Sequence, residues 1–306
     1  MDIDLVGGTL AATVSTQGGV IWRLEELEAG RRVPLLRLPP AGADRNPLQA
    51  ACFPLVPFGN RIAGNRFVFE EAMHELGPNM TGESHVLHGD GWLGEWTVGR
   101  RSAHEVSLFY EHKSRHSPFC YRAEQDVALV DGRLMLTMRV TNQGSAPLPY
   151  GFGWHPYFPL TPQTKLQAPA ASWWTEGQGH LPDSNQPVPA SLDFTLPQGL
   201  PRRWINNGFE GWDGMARIIW PELGREMVLE ADARFSRYFL FVSDPAFQAG
   251  YGYDFFCFEP MTHSANAHNF PGEGGLVRLA PGESFAGAIK LAWRRFDAGE
   301  APAQAG

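Results

Sequence analysis

The sequence predicts an all-β fold with few short helices, built as one large domain. Its 306 residues include 34 glycines and 25 prolines spread along the whole chain. The runs between these turn formers are short, rich in β-branched or aromatic residues, and often alternate polar with apolar side chains, which is the pattern of strands and turns. All-β domains commonly exceed 200 residues, so the length does not require a second domain.

Strand patterns are clearest in the second half of the chain. Alternating or β-rich runs occupy residues 133–140 (RLMLTMRV), 216–220 (ARIIW), 237–242 (RYFLFV) and 285–293 (FAGAIKLAW). The last of these reads as the closing strand of a domain spanning residues 1–297. Residues 298–306 are small and are predicted to fray as a tail.

The segment 159–201 is rich in Pro, Gln, Ser and Gly. This composition is compatible with a linker and equally with an excursion of the chain inside one domain. We therefore place no domain boundary there.

Composition excludes several classes of partner. Asp and Glu outnumber Lys and Arg by 33 to 25, giving a formal net charge of −8, and no basic run reaches five residues. Nucleic acid is therefore not expected as a partner. No apolar stretch approaches the roughly 18 residues of a membrane helix, and the first residues carry no signal-peptide pattern. We expect a soluble, cytoplasmic protein, present as a monomer or homodimer.

The cysteines predict neither a disulfide framework nor a zinc cluster. Cys52, Cys120 and Cys257 are odd in number, widely spaced and outside any Cys-x-x-Cys pair. We expect them to be reduced core residues. The dipeptide His74-Glu75 lacks the second histidine of a zincin motif, and no metal site is predicted.

His155 is the most conspicuous candidate for chemistry. It lies in residues 151–158 (GFGWHPYF), where Trp154, Tyr157 and Phe158 surround one imidazole with aromatic rings. Such rings make a wall suited to a sugar, and an imidazole with an ordinary pKa near 6.5 can donate a proton near neutral pH. The alternative is a histidine buried for packing alone.

Glu259 is the candidate counterpart of His155. Residues 255–260 (FFCFEP) place one carboxylate at the end of an aromatic strand, which Pro260 is expected to terminate. Apolar surroundings would raise the pKa of this carboxyl toward that of a useful base. A glutamate at a strand end that points into solvent is the competing interpretation.

Three further polar residues lie in turn-like motifs and could anchor a ligand. Arg61 follows an apolar approach at residues 53–60, His88 lies in residues 87–92 (LHGDGW), and Asp213 lies in residues 209–214 (FEGWDG). Each motif is also explained by an ordinary turn or a surface ion pair. Together with ten tryptophans, this set suits a neutral polyhydroxylated ligand.

Five motifs in order give the chain a family resemblance. They are residues 60–62 (NRI), 87–92 (LHGDGW), 153–158 (GWHPYF), 211–214 (GWDG) and 258–260 (FEP). In this order and spacing they resemble the aldose 1-epimerase (galactose mutarotase) family over nearly the whole chain. The resemblance implies a large antiparallel β-sandwich with an open sugar cleft and no cofactor.

The resemblance also implies roles for individual residues. Glu259 is similar to the general base that removes the proton of the anomeric hydroxyl, and His155 to the general acid that protonates the ring oxygen. Arg61, His88 and Asp213 resemble the residues that hold the hydroxyls and ring oxygen, with Glu210 as an alternative to Asp213.

Three alternatives to an aldose epimerase remain open at this stage. A hexose-phosphate 1-epimerase could use Arg61 and Arg66 in a phosphate pocket. A glycoside hydrolase could use Glu259 and Asp213 as its carboxylate pair, although this leaves His155 without a role. A sugar-binding protein without turnover is the third.

Overall fold

Two large antiparallel sheets make up most of the structure, a computed structural model that describes residues 1–296. In chain order the strands are β1 (Asp2–Gly7), β2 (Leu10–Ser15), β3 (Ile21–Glu28), β4 (Arg31–Pro34), β5 (Cys52–Leu55), β6 (Arg61–Ile62), β7 (Arg66–Phe69), β8 (Ala72–Glu75), β9 (Val86–Leu87), β10 (Thr97–Arg101), β11 (Glu105–Lys113), β12 (Cys120–Val130), β13 (Arg133–Asn142), β14 (Leu148–Tyr150), β15 (Gly153–Pro159), β16 (Lys165–Gln167), β17 (Ser172–Glu176), β18 (Pro182–Gln186), β19 (Gln198–Gly199), β20 (Ile205–Glu210), β21 (Met215–Trp220), β22 (Arg225–Ala231), β23 (Arg237–Val242), β24 (Phe255–Met261), β25 (Val277–Leu279) and β26 (Ser284–Arg295).

The helices of residues 1–296 are all three-residue 3-10 turns. They span Pro47–Gln49, Ala63–Asn65, Gly91–Leu93, Gln178–His180, Ala190–Leu192, Pro221–Leu223, Ala267–Asn269 and Glu273–Gly275. None of them has the length and apolar character that crossing a membrane requires. The predicted all-β class is confirmed.

The larger sheet has eleven strands in the order β1-β2-β3-β5-β15-β24-β23-β20-β17-β18, with β4 attached to β3. The smaller sheet has nine, in the order β10-β11-β12-β13-β26-β22-β21-β16-β19. Three two-stranded ribbons, β6-β9, β7-β8 and β14-β25, complete the described strands. The antiparallel sandwich implied by the resemblance is therefore present.

Burial differs between the two sheets. In the nine-stranded sheet, strands such as β12 and β13 alternate buried with more exposed residues, as expected when one face meets the core and the other meets solvent. In the eleven-stranded sheet, β24 is buried at every position and β15 at all but one. The second face of its central strands is thus covered as well, and it forms the floor of a cleft.

A buried hydrogen-bonded chain joins the two sheets below this floor. The indole Nε1 of Trp154 in β15 donates to Gln125 Oε1 of β12 at 3.0 Å, and Gln125 Nε2 donates to the Gly19 carbonyl at 2.7 Å. Buried polar groups are costly unless paired, so this chain fixes the position of β15 on the opposite sheet.

The predicted strands of the second half are confirmed: residues 133–140 lie in β13, 216–220 in β21, 237–242 form β23, and 285–293 lie in β26. Residues 159–201 contribute β17 and β18 to one sheet and β16 and β19 to the other, so this segment crosses within the sandwich and is not a linker.

All three cysteines are free, with Cys52 and Cys257 buried and Cys120 partly buried. The tail predicted at residues 298–306 lies outside the described residues.

The expectation that Pro260 ends its strand was wrong. β24 continues to Met261, and Pro260 lies opposite Tyr238 in the ladder with β23. Toward β15, pairing is recorded at Gly153↔Met261 and at Tyr157↔Cys257 but not between them. That interval holds Pro156 and Pro260, which lack the N–H a ladder needs. Over this interval the sheet is maintained by the pairing of β15 with β5 and of β24 with β23.

Close approach of β15 and β24 makes Gly153 a sensitive position. A Cβ at Gly153 would lie 2.4 Å from the Pro260 carbonyl oxygen, a backbone atom that cannot move without its strand. We expect Gly153→Ala to lower the free energy of unfolding by about 1–3 kcal/mol, as overpacking does. Denaturant unfolding measures this. The matched control is Gly199→Ala, where the new Cβ meets nothing within 4 Å; equal stability of the two variants would contradict the prediction.

Candidate active site

The cleft lies over the central strands of the eleven-stranded sheet and has a volume of about 600 Å³. Its lining includes His155 and Glu259 together with Arg61 and His88, four of the five site residues predicted from sequence. Side chains reach it from the sheet face and from the loops that rise around it. A cleft of this size is typical of small-molecule sites.

Strand register brings His155 and Glu259 together. Because Gly153 pairs with Met261 and Tyr157 with Cys257, the midpoint of this interval sets His155 opposite Glu259. Opposite residues of neighbouring strands share a face. The same row continues to Phe53 of β5 on one side and Phe239 of β23 on the other. Two residues separated by about 100 positions in sequence thus become neighbours through sheet pairing alone.

The two groups are in contact. His155 Nε2 lies 3.2 Å from Glu259 Oε1, and the residues are 6% and 2% exposed. The Phe53 ring stacks on the imidazole with 4.4 Å between centroids and 19° between planes, which fixes its orientation. Glu259 Oε2 is buried and has no hydrogen-bond partner among the described residues. A buried carboxylate oxygen without a donor is a group that a ligand hydroxyl can complete.

Burial governs the charge of this pair. It lowers the pKa of His155 to about 3 and raises the pKa of Glu259 well above its ordinary value, because each charged form would lose its hydration. Arg61 opposes the second effect, since its positive charge favours the carboxylate. Groups this close titrate as a pair. Burial thus favours the neutral form of both groups, with one proton shared between them.

His88 is a fixed hydrogen-bond donor at the side of the cleft. Its backbone has φ +59°, and its Nδ1 accepts a hydrogen bond from the Asn60 backbone N–H at 3.0 Å. Burial holds the pKa of His88 well below its usual value, so the ring is neutral. A neutral imidazole that accepts at Nδ1 carries its proton on Nε2. His88 thus presents an N–H, and its ring stands perpendicular to that of His155 at 5.3 Å.

Arg61 is held in place by an acid behind it. Its Nε and Nη2 donate to the two oxygens of Glu83 at 3.1 and 2.9 Å, and its side chain is 8% exposed. This two-point contact sets the plane of the guanidinium. The charge of Arg61 is thereby balanced, and the proposed partnership with Arg66 is not formed because Arg66 is exposed and lies outside the cleft lining.

Asp213 does not reach the cleft. It is exposed, its Oδ1 accepts from the Met215 backbone N–H at 2.9 Å, and it is absent from the lining. Glu210 is also outside, where it pairs with Arg237 at 2.6 Å and accepts from Trp174 and Ser264. The structure therefore places neither residue in the cleft lining, and the motif around Asp213 forms an ordinary turn in which the carboxylate accepts from its own backbone.

Two of the three predicted wall residues also face away from the cleft. Side chains alternate along β15, so His155 and Tyr157 share the cleft face while Trp154 and Phe158 enter the sandwich core. Trp154 packs on Phe235 there, with ring centroids 5.8 Å apart. Only Tyr157 of the wall lines the cleft.

A second row of side chains lies on the same face and was not predicted from any sequence motif. Two residues along from the His155 row, strand pairing aligns Tyr157, Cys257, Phe241 and Asn206, and Asn206 Nδ2 donates to Glu176 of β17. Three of them, Tyr157, Phe241 and Asn206, line the cleft. The only sequence signal was the polar pair Asn206-Asn207 between the apolar residues Ile205 and Phe209, since buried amides require partners.

Glu176 organises one wall of the cleft from behind. Its oxygens accept from His180 Nδ1 at 2.6 Å, Trp204 Nε1 at 2.5 Å and Asn206 Nδ2 at 2.7 Å. His180, Trp204 and Asn206 all line the cleft, while Glu176 itself does not. One carboxylate therefore sets the orientation of three side chains on this wall.

Comparison with known proteins places the chain. A family model described as aldose 1-epimerase matches residues 2–292. The chain belongs to the aldose 1-epimerase family. It is 46% identical over 288 residues to the uncharacterized protein YphB of Escherichia coli K12, covering 93% of this chain and 96% of that one.

Solved structures agree with this family assignment. A structure from Escherichia coli K12 superimposes with a TM-score of 0.91 at 44% identity, covering 97% of this chain and 99% of that one. A galactose mutarotase-like protein of Clostridium acetobutylicum gives a TM-score of 0.82 at 18% identity, with 96% and 95% covered. The GalM/aldose epimerase homologue of C. elegans gives 0.79 at 18% identity, with 97% and 99% covered. The latter two show the shared fold.

Membership of the aldose 1-epimerase family makes the chain an isomerase-type enzyme that acts on a sugar. We predict that Glu176, through His180, Trp204 and Asn206, holds one wall of the cleft in place for that sugar. We expect Glu176→Gln to raise KM about tenfold and to change kcat less. The glutamine amide replaces one acceptor oxygen by an NH2 group, which cannot accept the hydrogen bonds that His180, Trp204 and Asn206 donate to Glu176. Such a change removes binding shared by ground and transition states. Anomeric-exchange NMR over a range of aldose concentrations separates the two parameters.

The control for Glu176→Gln is Glu124→Gln, a substitution in a surface ion pair with Arg122. It should leave both parameters unchanged. A loss in Glu176→Gln confined to kcat, or a KM equal to that of the control, would show that Glu176 does not position the wall.

Proposed function

We propose that the protein is an aldose 1-epimerase that interconverts the α and β anomers of a free aldose, with Glu259 and His155 as its proton-transfer pair. The observation that carries this proposal is the 3.2 Å contact between His155 Nε2 and Glu259 Oε1 on the floor of the sugar-sized cleft. The anomeric hydroxyl and the ring oxygen of an aldose are bonded to the same carbon. One sugar ring can therefore present both oxygens to a pair this close.

Ring opening needs two proton transfers. Glu259, as carboxylate, removes the proton of the anomeric hydroxyl, and that oxygen becomes the carbonyl oxygen of the open aldehyde. The bond between C1 and the ring oxygen breaks, and His155, as imidazolium, protonates the departing oxygen. After rotation about C1–C2, the hydroxyl attacks the other face of the carbonyl while both protons return. Each transfer contributes about 10²–10⁴-fold to the rate.

The shared proton explains how a buried pair can do this work. In the empty cleft burial favours the neutral members, with the proton on Glu259. The reacting arrangement has the same single proton on His155 instead. Moving it changes no net charge, so the step needs no proton from bulk water. Arg61 favours the carboxylate and thus the reacting arrangement.

The cleft's fixed donors hold the sugar for these transfers. We assign to His88 Nε2–H and to the Arg61 guanidinium the binding of ring or hydroxyl oxygens, which their preset orientations allow without reorganisation. Arg61, His88, His155 and Glu259 suffice for the chemistry described, which uses no cofactor.

Glycoside hydrolysis is less well supported. It needs two carboxyl groups flanking the bond to be cleaved. Asp213, the predicted second member, lies outside the cleft, and Glu83 is engaged by Arg61. Neither flanks Glu259 as a free acid.

Substitution of either proton-transfer residue tests the proposal. We expect Glu259→Gln and His155→Asn each to lower kcat/KM for anomeric exchange by two decades or more, in keeping with a lost acid or base. Polarimetry on freshly dissolved α-aldoses, corrected for spontaneous mutarotation, measures the loss. Glu25→Gln, another buried glutamate but outside the cleft, is the control and should behave as wild type. An undiminished rate in Glu259→Gln would rule the mechanism out.

The pH profile tests the shared proton. The active form holds one proton on the pair; a second enters only near the lowered pKa of His155, about 3, and the first leaves only above the raised pKa of Glu259. We therefore expect kcat/KM to stay level as pH falls from about 7.5 to 5.5, and to drop once pH rises past the raised pKa of Glu259. An isolated imidazole acid of ordinary pKa near 6.5 would instead give a severalfold rise over that interval. Exchange NMR at constant ionic strength distinguishes the two profiles.

A further inference from the structure

Arg37 occupies a fixed place in the cleft wall. Its backbone N–H donates to the Tyr157 carbonyl at 2.9 Å, which ties it to the strand that carries His155. Its Nη2 donates to the carbonyls of Leu48 and Ala50 at 2.8 and 2.9 Å. The guanidinium carbon lies 3.6 Å from the Tyr157 ring centroid and 4.5 Å from that of Phe255. The backbone of Arg37 and its guanidinium group are therefore both fixed, the guanidinium by hydrogen bonds at one edge and by aromatic contacts on its face.

The charge of Arg37 is not balanced by a carboxylate. No acidic oxygen of the described residues lies within 4.0 Å of its guanidinium, and its Nε is buried without a hydrogen-bond partner. The other arginine of the cleft lining, Arg61, differs because its charge is balanced by Glu83, which accepts two hydrogen bonds from it. Half-buried guanidinium groups are usually paired with acids. Aromatic faces and neutral carbonyls orient Arg37 but leave its charge available.

The acidic residues that line the cleft do not neutralise the charge of Arg37. Glu83 is bound to Arg61, and Glu259 is bound to His155. Asp254 also lines the cleft, but it is exposed and forms no ion pair among the described residues, so water screens its charge.

The position of Arg37 relates it to a particular part of a substrate. It covers Tyr157, which is two residues from His155 on the same face of β15, or about 7 Å along a strand. With the anomeric carbon at His155 and Glu259, C6 of a cyclic hexose lies nearby, because only the ring oxygen and C5 separate it from C1. A carboxylate or phosphate group on C6, as in hexuronates and hexose 6-phosphates, extends from there toward Arg37.

We propose that Arg37 is a specificity-determining residue that binds an oxyanion on C6 of the aldose, so that the preferred substrates are anionic aldoses. This inference rests on the proposed epimerase function. A guanidinium that is already oriented loses little freedom when it binds a carboxylate or phosphate oxygen, and a hydrogen bond between charged groups is among the strongest a site can offer.

The first experiment uses the wild-type protein and matched pairs of sugars. Anomeric-exchange NMR compares galactose with galacturonate, glucose with glucuronate, and glucose with glucose 6-phosphate. We expect kcat/KM to favour the anionic member by about tenfold or more, the size of one hydrogen bond to a charged group. Whichever of the hexuronates and glucose 6-phosphate gives the larger ratio of anionic to neutral kcat/KM identifies the preferred oxyanion. Added salt should reduce the preference, because ions screen the attraction.

The second experiment changes the charge at residue 37. We expect Arg37→Gln to reduce the ratio of anionic to neutral kcat/KM by about tenfold, chiefly through KM, and Arg37→Lys to reduce it less. Arg66→Gln is the matched control, since Arg66 is exposed and outside the lining, and it should keep the wild-type ratio. If circular dichroism shows that the Arg37 variants do not fold, the wild-type preference and its salt dependence decide the question.

The outcomes separate this inference from the proposed function. Wild-type protein that exchanges neutral aldoses as well as anionic ones, or an unchanged ratio in folded Arg37→Gln, would overturn the role of Arg37 and leave the epimerase intact. Wild-type protein that exchanges no sugar of either kind faster than Glu259→Gln does would overturn the epimerase itself.

Discussion

The site depends on the lateral pairing of β15 with β24, which places two buried ionisable groups side by side. Neither His155 nor Glu259 would readily carry charge alone at such burial. In contact, they can exchange one proton without creating net charge. The ladder between the two strands is interrupted at Pro156 and Pro260, so it is pairing with β5 and β23 that keeps the groups opposite each other. The flanking strands of the sheet thus maintain the contact between His155 and Glu259, and Phe53 of β5 also stacks on the imidazole.

The remaining donors are positioned by backbone geometry and by acids outside the sugar's reach. His88 adopts a positive φ that few non-glycine residues adopt, and the Asn60 N–H fixes its tautomer. Glu83 orients Arg61, and Glu176 orients His180, Trp204 and Asn206. Since each donor is set before a ligand arrives, little conformational entropy is lost on binding. This supports a cleft that is ready for its sugar.

Sequence patterns predicted the β class and singled out His155 and Glu259, which the structure brings into contact, because both leave local marks: alternation in strands, and an ionisable group within an aromatic run. They failed where the answer depends on register. Trp154 and Tyr157 look equivalent in sequence, but strand alternation sends one to the core and the other to the cleft. Asp213 has the more conspicuous motif, yet Asn206 reaches the cleft because β20 aligns it with Tyr157 across two intervening strands. Arg37 lies in a segment without any motif.

Two rows on one sheet face divide the work of the cleft. The row of Phe53, His155, Glu259 and Phe239 contains the ionisable pair between aromatic neighbours, and the row of Tyr157, Phe241 and Asn206 lines the adjoining part of the cleft. A one-residue slip of any strand would turn its side chains to the opposite face, so both rows require the same strand register. Substitutions within the second row leave that register unchanged. Recognition of different aldoses can therefore vary on this scaffold while the proton-transfer pair stays in place.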